Sequence, residues 1–426
     1  MRILIKIHYN LYKKTPVKCD VLVAGGGPAG IAAAIAATRA GCRVVLLEKY
    51  GSLGGLASNG NVGTICGLYL PSMIDNAQSV CGGFAREFAE EISMHSGAKP
   101  VHAAEGLYVL PYDPWHFQRA ADNLVRRAAG ISIVLHGTLV SVDAGGSKVR
   151  EVSALVWDRC VSFRPSCVVD CTGEATVLYM AGVIVDEDSE NQAAAVIFSL
   201  DTFMHMEGRE NSLALLRDIH RAVREKQLTP PCGAVSVVPC AGKYNGFRLK
   251  VNLPYEASTD MHKLSELELR ARDIIDELSC FLKAKITQMP VQVGVRSGRR
   301  ARGRSILTED DILNCRKYQD GVACGAWPIE EWGLDIRPRM TYTPENEYYE
   351  IPIGCLIPES INNVFVAGRC ISATARAIAS ARVIGISLCT GWAAGKAAAF
   401  QAMNRPLSSA VKEIREEQVR GRGHGS

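Results

Sequence analysis

The chain has 426 residues, 47% of them hydrophobic and 22% charged, with 39 glycines. This is an ordinary globular mix, which excludes intrinsic disorder for most of the chain, and a prior of about 150 residues per domain gives two or three domains. A formal net charge of +4 is too small to point by itself to a nucleic-acid or membrane partner.

Residues 1–18 carry five basic side chains and no acid. Their longest apolar run, Ile3-Leu4-Ile5, falls short of the roughly 7–15 residues of a signal-peptide core, so they read as a leader, disordered or an edge strand. Val21 to Thr38 is an uncharged, largely apolar stretch. Gly25, Gly26, Gly27, Pro28 and Gly30 interrupt it, which rules out one continuous membrane helix. The expectation is a soluble, cytoplasmic protein without a membrane partner.

Val17 to Ala24 is a β-branched apolar run and reads as a buried parallel strand. Gly25-Gly26-Gly27-Pro28-Ala29-Gly30 follows as G-x-G-x-x-G, then an alanine-rich helix from Ile31 to Ala40 stopped by Gly41. A second strand, Arg43 to Leu47, ends at Glu48. Gly25 allows the tight turn, Gly27 lets backbone approach a pyrophosphate, and Gly30 lets helix and strand pack closely. The helix N-terminus, with Pro28 and Ala29 in its first turn, offers free amides and the positive end of a dipole to phosphates. Glu48 can accept from both ribose hydroxyls, and its charge would repel a 2′-phosphate. Strand, turn, helix and acid stand where dinucleotide binding needs them.

Three further stretches favour a flavin over a nicotinamide. Gly51 to Gly63 (GSLGGLASNGNVG) follows the acid directly. Val168 to Gly173 (VVDCTG) is a short strand ending in Asp-Cys-Thr-Gly, with Glu174 behind it. Asn363 to Cys370 (NVFVAGRC) is another buried strand, ending in Gly368-Arg369 before a helix rich in glycine and alanine.

With these pieces in one order, the sequence resembles the FAD-dependent oxidoreductases of the glutathione-reductase-like fold. It is most similar to a bacterial family of uncharacterised members, and its flavin portion is similar to that of heterodisulfide reductase. The likeness runs from about Cys19 to Ala402 and includes GGFAREFAEEI, YDPWHFQRAADNLV, VRSGRRARGRSILTEDDI and IPIGCLIPESINNVFVAGRCISATARAIASARV. It implies an α/β fold: a Rossmann-like, three-layer FAD-binding domain from residues 19–185 plus 350–405, with an inserted α+β substrate or cap domain at 186–349. A charged, glycine-rich tail at 406–426 would be an exposed helix followed by disorder.

By position, the resemblance assigns Gly25, Gly27, Pro28, Ala29, Gly30, Glu48, Lys49, Gly54, Gly55, Asn59, Gly60, Thr172, Gly173, Gly368, Arg369, Ser380 and Arg382 to the cofactor. It places the flavin ring near Gly60 to Gly63 on one side and Ser380 to Ser387 on the other. There the last helix begins, and its amides would stabilise negative charge on reduced flavin. Many members of the family carry histidines where this chain has Ala375 and, nearby, Trp332. Their absence leaves no evident proton shuttle and makes non-covalent FAD the expected form.

In the middle of the chain, Asn211 to Gln227 and Ser265 to Ile286 read as amphipathic helices, the first with Leu213, Leu216, Ile219 and Val223 on its buried face. Val235 to Val238 and Phe247 to Leu253 read as strands. Arg296, Arg299, Arg300, Arg302 and Arg304 crowd nine residues. They read either as a charged face paired with Glu309, Asp310 and Asp311, or as holding flavin phosphates or an acidic substrate through Arg296 and Arg299, because the guanidinium fork binds such anions bidentately. No aromatics interleave as a nucleic-acid surface would require.

The 15 cysteines are odd in number and never stand at C-x-x-C spacing, against a zinc or iron–sulfur site. Reduced thiols fit, with Cys370 structural rather than a redox thiol or flavin tether. His95, His102, His116, His136, His205, His220 and His262 stand singly, and no histidine pair or carboxylate cluster suggests a metal. The reading is therefore an oxidoreductase moving a hydride between flavin N5 and a small organic substrate, with Arg382, Arg376 and Arg296 as catalytic candidates beside Glu330. The alternatives are a flavin monooxygenase or oxidase, a flavin-binding protein without turnover, and an RNA-modifying flavoprotein. Substrate identity and the electron donor or acceptor stay open, and a homo-oligomer is compatible with the sequence.

Overall fold

The computed structural model describes residues 15–419 except 75, 105, 188–191, 202–208, 242–245, 257–259 and 335–337. The leader up to residue 14, His205 and the glycine-rich end of the tail lie outside the described residues.

Val17–Ala24 (β1) runs into the glycine turn and Pro28–Arg39 (α1), and Val44–Leu47 (β2) lies parallel to β1 with Val21 opposite Val44. Ile131–Val134 (β3) extends the sheet beyond β2, again parallel. Gly137–Gly145 (β4), Lys148–Val156 (β5) and Arg159–Asp170 (β6) form an antiparallel ribbon. The far half of β6 turns back beside β1 in parallel register, Ala24 opposite Asp170. Val364–Val366, from much later in the chain, pairs in parallel with the other edge of β6. The carboxyl ends of β1, β2, β6 and this late strand thus come together, the place where open α/β sheets bind ligands. Two fully buried isoleucines of α1, Ile31 and Ile35, each stabilise this layer by about 1.5–3 kcal/mol.

A second unit has its own core. Ala193–Asp201 (β7), Val235–Val238 (β8), Phe247–Glu256 (β9) and Lys285–Gln288 (β10) form an antiparallel sheet in the order β8-β9-β7-β10. Two helices, Arg209–Arg224 and Met261–Leu282, cover one face of it. The first buries Leu215, Ile219 and Ala222 and leaves Leu213 47% exposed, so its apolar stripe is rotated from the one the sequence pattern suggests. Strand β9 alternates: Phe247, Leu249, Val251 and Leu253 enter the core under the helices, and Arg248, Lys250 and Asn252 occupy the opposite face.

The boundary between the units differs from the sequence expectation of 186–349. The second core spans residues 194–293, whereas Leu307, Ile312, Val322, Trp327, Ile329 and Tyr349 bury themselves in the first. Apolar side chains in that segment, Ile329–Trp332 (β11) included, find the larger core nearer.

Ala375–Ala381 (α2) and Ile384–Ala402 (α3) follow the late strand, with a 96° bend between them. Among the described residues no single helix is long and apolar enough to cross a membrane, and this bent pair passes only on length and composition. Most of α3 is buried against α1. Glycine allows that approach, because a Cβ on Gly391 would stand 2.1 Å from the Ala29 carbonyl oxygen. Leu407–Val419 (α4) packs on α3 through fully buried Ala410 and Ile414, and Lys396 of α3 lies 3.0 Å from Glu413 and 2.5 Å from Glu417. The start of the tail is therefore docked rather than simply exposed.

Candidate functional site

The site begins at the glycine turn. Gly25 adopts φ +102°, a left-handed conformation that residues with a Cβ rarely take, and a Cβ on Gly30 would meet the Gly25 carbonyl oxygen at 1.8 Å. Around Gly27 there is space: its nearest neighbour to an added Cβ would be Gly55 Cα at 3.9 Å. No side chain caps α1, so its first-turn amides are left for an anion. The Gly54 amide donates to the Gly26 carbonyl at 2.8 Å and joins the 51–55 loop to the turn.

Glu48, 5% exposed, accepts from the Gly26 amide at 2.6 Å and from the Tyr50 amide at 2.8 Å. Burial raises its carboxyl, and those amides oppose the rise. Asn59 is buried, its Oδ1 taking the Ser52 hydroxyl at 2.9 Å and its Nδ2 having no partner among the described residues. Across the cleft, fully buried Asp170 takes the Thr172 hydroxyl at 2.7 Å and the Val177 amide at 2.8 Å, which fixes the Thr172-Gly173 loop. Arg369 donates to the Ser297 carbonyl at 2.8 Å and forms an ion pair with Glu174. The Gly368 amide donates to the Thr390 hydroxyl at 3.1 Å.

Further along, the loop after Gly60 meets the polar face of the second unit. Asn61 donates to the Ile197 carbonyl at 3.3 Å, and Val291 donates through its amide to the Asn59 carbonyl at 2.7 Å. Arg248, 1% exposed, donates to the Tyr112 carbonyl at 2.9 Å and pairs with Asp113 at 2.6 Å. Its Nε and the buried Ser199 hydroxyl have no partner among the described residues.

Beside these lies a cluster of charges. Glu330 of β11 accepts the Trp332 indole N–H at 2.6 Å on one oxygen and the Trp327 indole N–H at 2.9 Å on the other. The Lys250 ammonium stands 4.6 Å, and the Arg296 guanidinium 4.9 Å, from the Trp332 ring centroid. Arg296 donates to Asn252 at 2.6 Å and to the Ala193 carbonyl. Arg382, at the bend between α2 and α3, reaches the Glu330 carbonyl at 3.2 Å and the Gln192 amide oxygen at 3.4 Å, and its buried Nε has no partner among the described residues. Burial alone would raise the Glu330 carboxyl, but Lys250, Arg382 and Arg296 outweigh it and push the group down to about 2. Burial holds the Lys250 ammonium below its ordinary value, with Arg296 and Arg382 adding to the effect against Glu330. Cys66 closes the cluster, its thiol pushed up to about 12 by burial. Among the described residues, three cations thus act on one carboxylate whose oxygens are already engaged by indoles.

Several sequence candidates fall elsewhere. Ser380 is fully buried and shares its hydroxyl with Tyr349 at 2.8 Å and the Trp327 carbonyl at 2.5 Å. The Arg376 side chain, 45% exposed, lies 3.5 Å from Glu331 and outside the charge cluster. Lys49 is exposed, 4.9 Å from the Tyr50 ring centroid. Arg299 sits over Tyr179 at 4.1 Å, apart from Arg296. The arginine run does not pair with residues 309–311 among the described contacts: Arg302 meets Asp186 at 2.7 Å, Arg300 donates to the Ala373 carbonyl at 2.9 Å, and Asp311 pairs with Arg316 at 2.8 Å. Cys370 is fully buried, with its thiol pushed up to about 12 by burial. Lys250, Asn252, Trp327 and Asp170 were not among the sequence candidates. The signal for the first two was Arg248, Lys250 and Asn252 alternating on one strand.

A glycine turn at the carboxyl end of β1 and a buried acid at the end of β2 are the arrangement of a dinucleotide-binding protein. A family model described as FAD dependent oxidoreductase matches residues 20–421, and the chain belongs to that family, with FAD as its cofactor. The residues present fit the group: a Cβ on Gly27 would meet nothing closer than Gly55 Cα at 3.9 Å, and the buried Asn59 Nδ2 has no partner among the described residues.

Among curated proteins, the chain is 38% identical over 83 residues to the alpha subunit of sarcosine oxidase from Rhizobium meliloti (strain 1021), covering 20% of this chain and 7% of that protein. It is 53% identical over 47 residues to the NADH oxidase of Thermoanaerobacter brockii, covering 11% of this chain and again 7% of the other. The matches thus span a small fraction of either relative. The solved structure of BexE, studied for oxidation during BE-7585A biosynthesis, superposes with a TM-score of 0.50 at 14% identity, over 94% of this chain and 67% of that one. That likeness concerns the fold alone.

Proposed function

We propose that the protein is a dehydrogenase or reductase of a small organic molecule. The observation that carries this reading is the chamber where Cys66, Lys250, Arg296, Glu330 and Arg382 converge at the seam of the two units. FAD, when bound, supplies a hydride acceptor or donor at N5. The turn from Gly25 to Gly30, with Glu48, Asn59 and the Thr172-Gly173 loop, would hold it.

The chain's own residues then have separable tasks. Glu330, held down at about 2, stays ionised at neutral pH and is therefore no proton carrier. Its charge keeps Lys250, Arg296 and Arg382 together. Lys250 has an ammonium destabilised by burial, which suits it to release or take up the one proton that accompanies hydride movement. Arg296 is fixed by Asn252 and the Ala193 carbonyl, and so braces β9 against the chamber. Partial burial of these groups strengthens their fields.

The test is anaerobic mixing of the holoprotein with a panel of alcohols, amines, hydroxy acids, amino acids and, after chemical reduction, unsaturated acceptors. Bleaching or recovery of the flavin colour by one of them, much slowed in Lys250→Met, is the expected result. A flavin indifferent to every class would leave binding without turnover as the better reading.

A further inference from the structure

We propose that the substrate is an organic acid whose carboxylate docks on Arg382. This rests on the dehydrogenase or reductase reading and names the substrate class of that site. Among the described residues, the charges that act on one another here are three cations, Lys250, Arg296 and Arg382, against the one carboxylate of Glu330. The neighbouring Arg369 is already matched by Glu174, and the Cys66 thiol stays neutral. Two positive charges are left over around the half-buried Lys250 and Arg382, an arrangement that an incoming anion would stabilise.

Glu330 does not neutralise them by contact. Its two oxygens accept the Trp332 and Trp327 indoles, and no ion pair joins it to any of the three cations among the described residues. Of the two arginines, Arg296 has donors committed to Asn252 and the Ala193 carbonyl. Arg382 is under-used: Nη2 makes only contacts of 3.2 and 3.4 Å, and the buried Nε makes none. A guanidinium with donors to spare is a bidentate seat for a carboxylate. A neutral substrate would leave that buried donor unpaired and the surplus charge uncompensated. Arg382 also immediately precedes Val383, the N-cap of α3, so the seat belongs to the rigid bend that starts this helix.

The experiment uses FAD-loaded protein and follows the visible spectrum of the bound flavin during titration with succinate, and separately with succinamide, its uncharged counterpart. Succinate should perturb the spectrum saturably and succinamide should not. Arg382→Met should weaken succinate by about 30-fold or more, the lower end for truncating one partner of a buried charged pair, while Arg382→Lys, which keeps the charge and loses the fork, falls between. An unchanged far-ultraviolet circular dichroism spectrum in both variants checks that they fold. Equal binding of the two compounds, or succinate binding untouched by Arg382→Met, overturns the proposal. The two readings fail separately: reduction of the flavin by neutral compounds alone sinks the carboxylate seat and spares the dehydrogenase or reductase, whereas carboxylates that bind without any compound reducing the flavin do the reverse.

Discussion

Replacing Glu330 by glutamine removes a negative charge that three cations act on, without removing much volume. The carboxyl is pushed from its ordinary 4.5 down to about 2, and at about 1.36 kcal/mol per pH unit its ionised form stabilises the folded protein by about 3 kcal/mol. The folded value is the depressed one, so this stability is fully present above the unfolded value and is lost as pH falls toward the folded one. Wild type should therefore exceed Glu330→Gln by about 3 kcal/mol at pH 7 and by about 2 kcal/mol at pH 3.5. Glutamine would also turn an N–H toward one of the two indole donors, which adds to the loss at every pH. Urea unfolding followed by tryptophan fluorescence suits the test, since Trp327 and Trp332 both contact the group. Equal midpoints at pH 7, or a difference that does not shrink on acidification, would refute the electrostatic argument.

Other consequences follow from the same geometry. Gly30→Ala places a methyl 1.8 Å from the Gly25 oxygen, so the variant should purify with little flavin, as read by the ratio of visible to ultraviolet absorbance; a full complement of FAD would contradict the close packing. Exposed Cys280 should react first with a chromogenic disulfide, while Cys370, with its thiol pushed up to about 12, should react only on unfolding. If Lys250 carries the proton, the flavin half-reaction should show an alkaline limb below the roughly 10.4 of a free lysine, because burial lowers the ammonium. Lys250→Met should abolish that limb, and an unchanged profile would reassign the proton.

The cofactor end was legible in the sequence because it is local. Gly25, Gly27, Gly30 and Glu48 lie within one βαβ unit, where Gly25 takes a left-handed turn and Gly30 packs against the Gly25 carbonyl. The chamber was legible only in part. Arg296, Arg382 and Glu330 stood out, but their convergence depends on the pairing of β9 with β7 and on the bend at Arg382, which no short window encodes. Lys250 was missed because a polar residue alternating with Leu249 and Val251 ordinarily faces solvent. Here that face lies against the FAD-binding unit, as fully buried Arg248 and Asn252 show. The partners of Ser380 were equally out of reach of a short window: Tyr349 and Trp327, both distant in sequence, hold its hydroxyl.

The central claim is that the charges of this chamber act on the flavin. Its most direct test needs no substrate: the midpoint potential of bound FAD in wild type, Lys250→Met, Arg382→Met and Glu330→Gln. Positive charge beside the ring favours the reduced, electron-rich cofactor. Loss of either cation should lower the potential by about 30 mV for each 1.4 kcal/mol of lost stabilisation, and loss of Glu330 should raise it. Potentials that coincide in all four proteins would place the chamber away from the flavin and contradict the account.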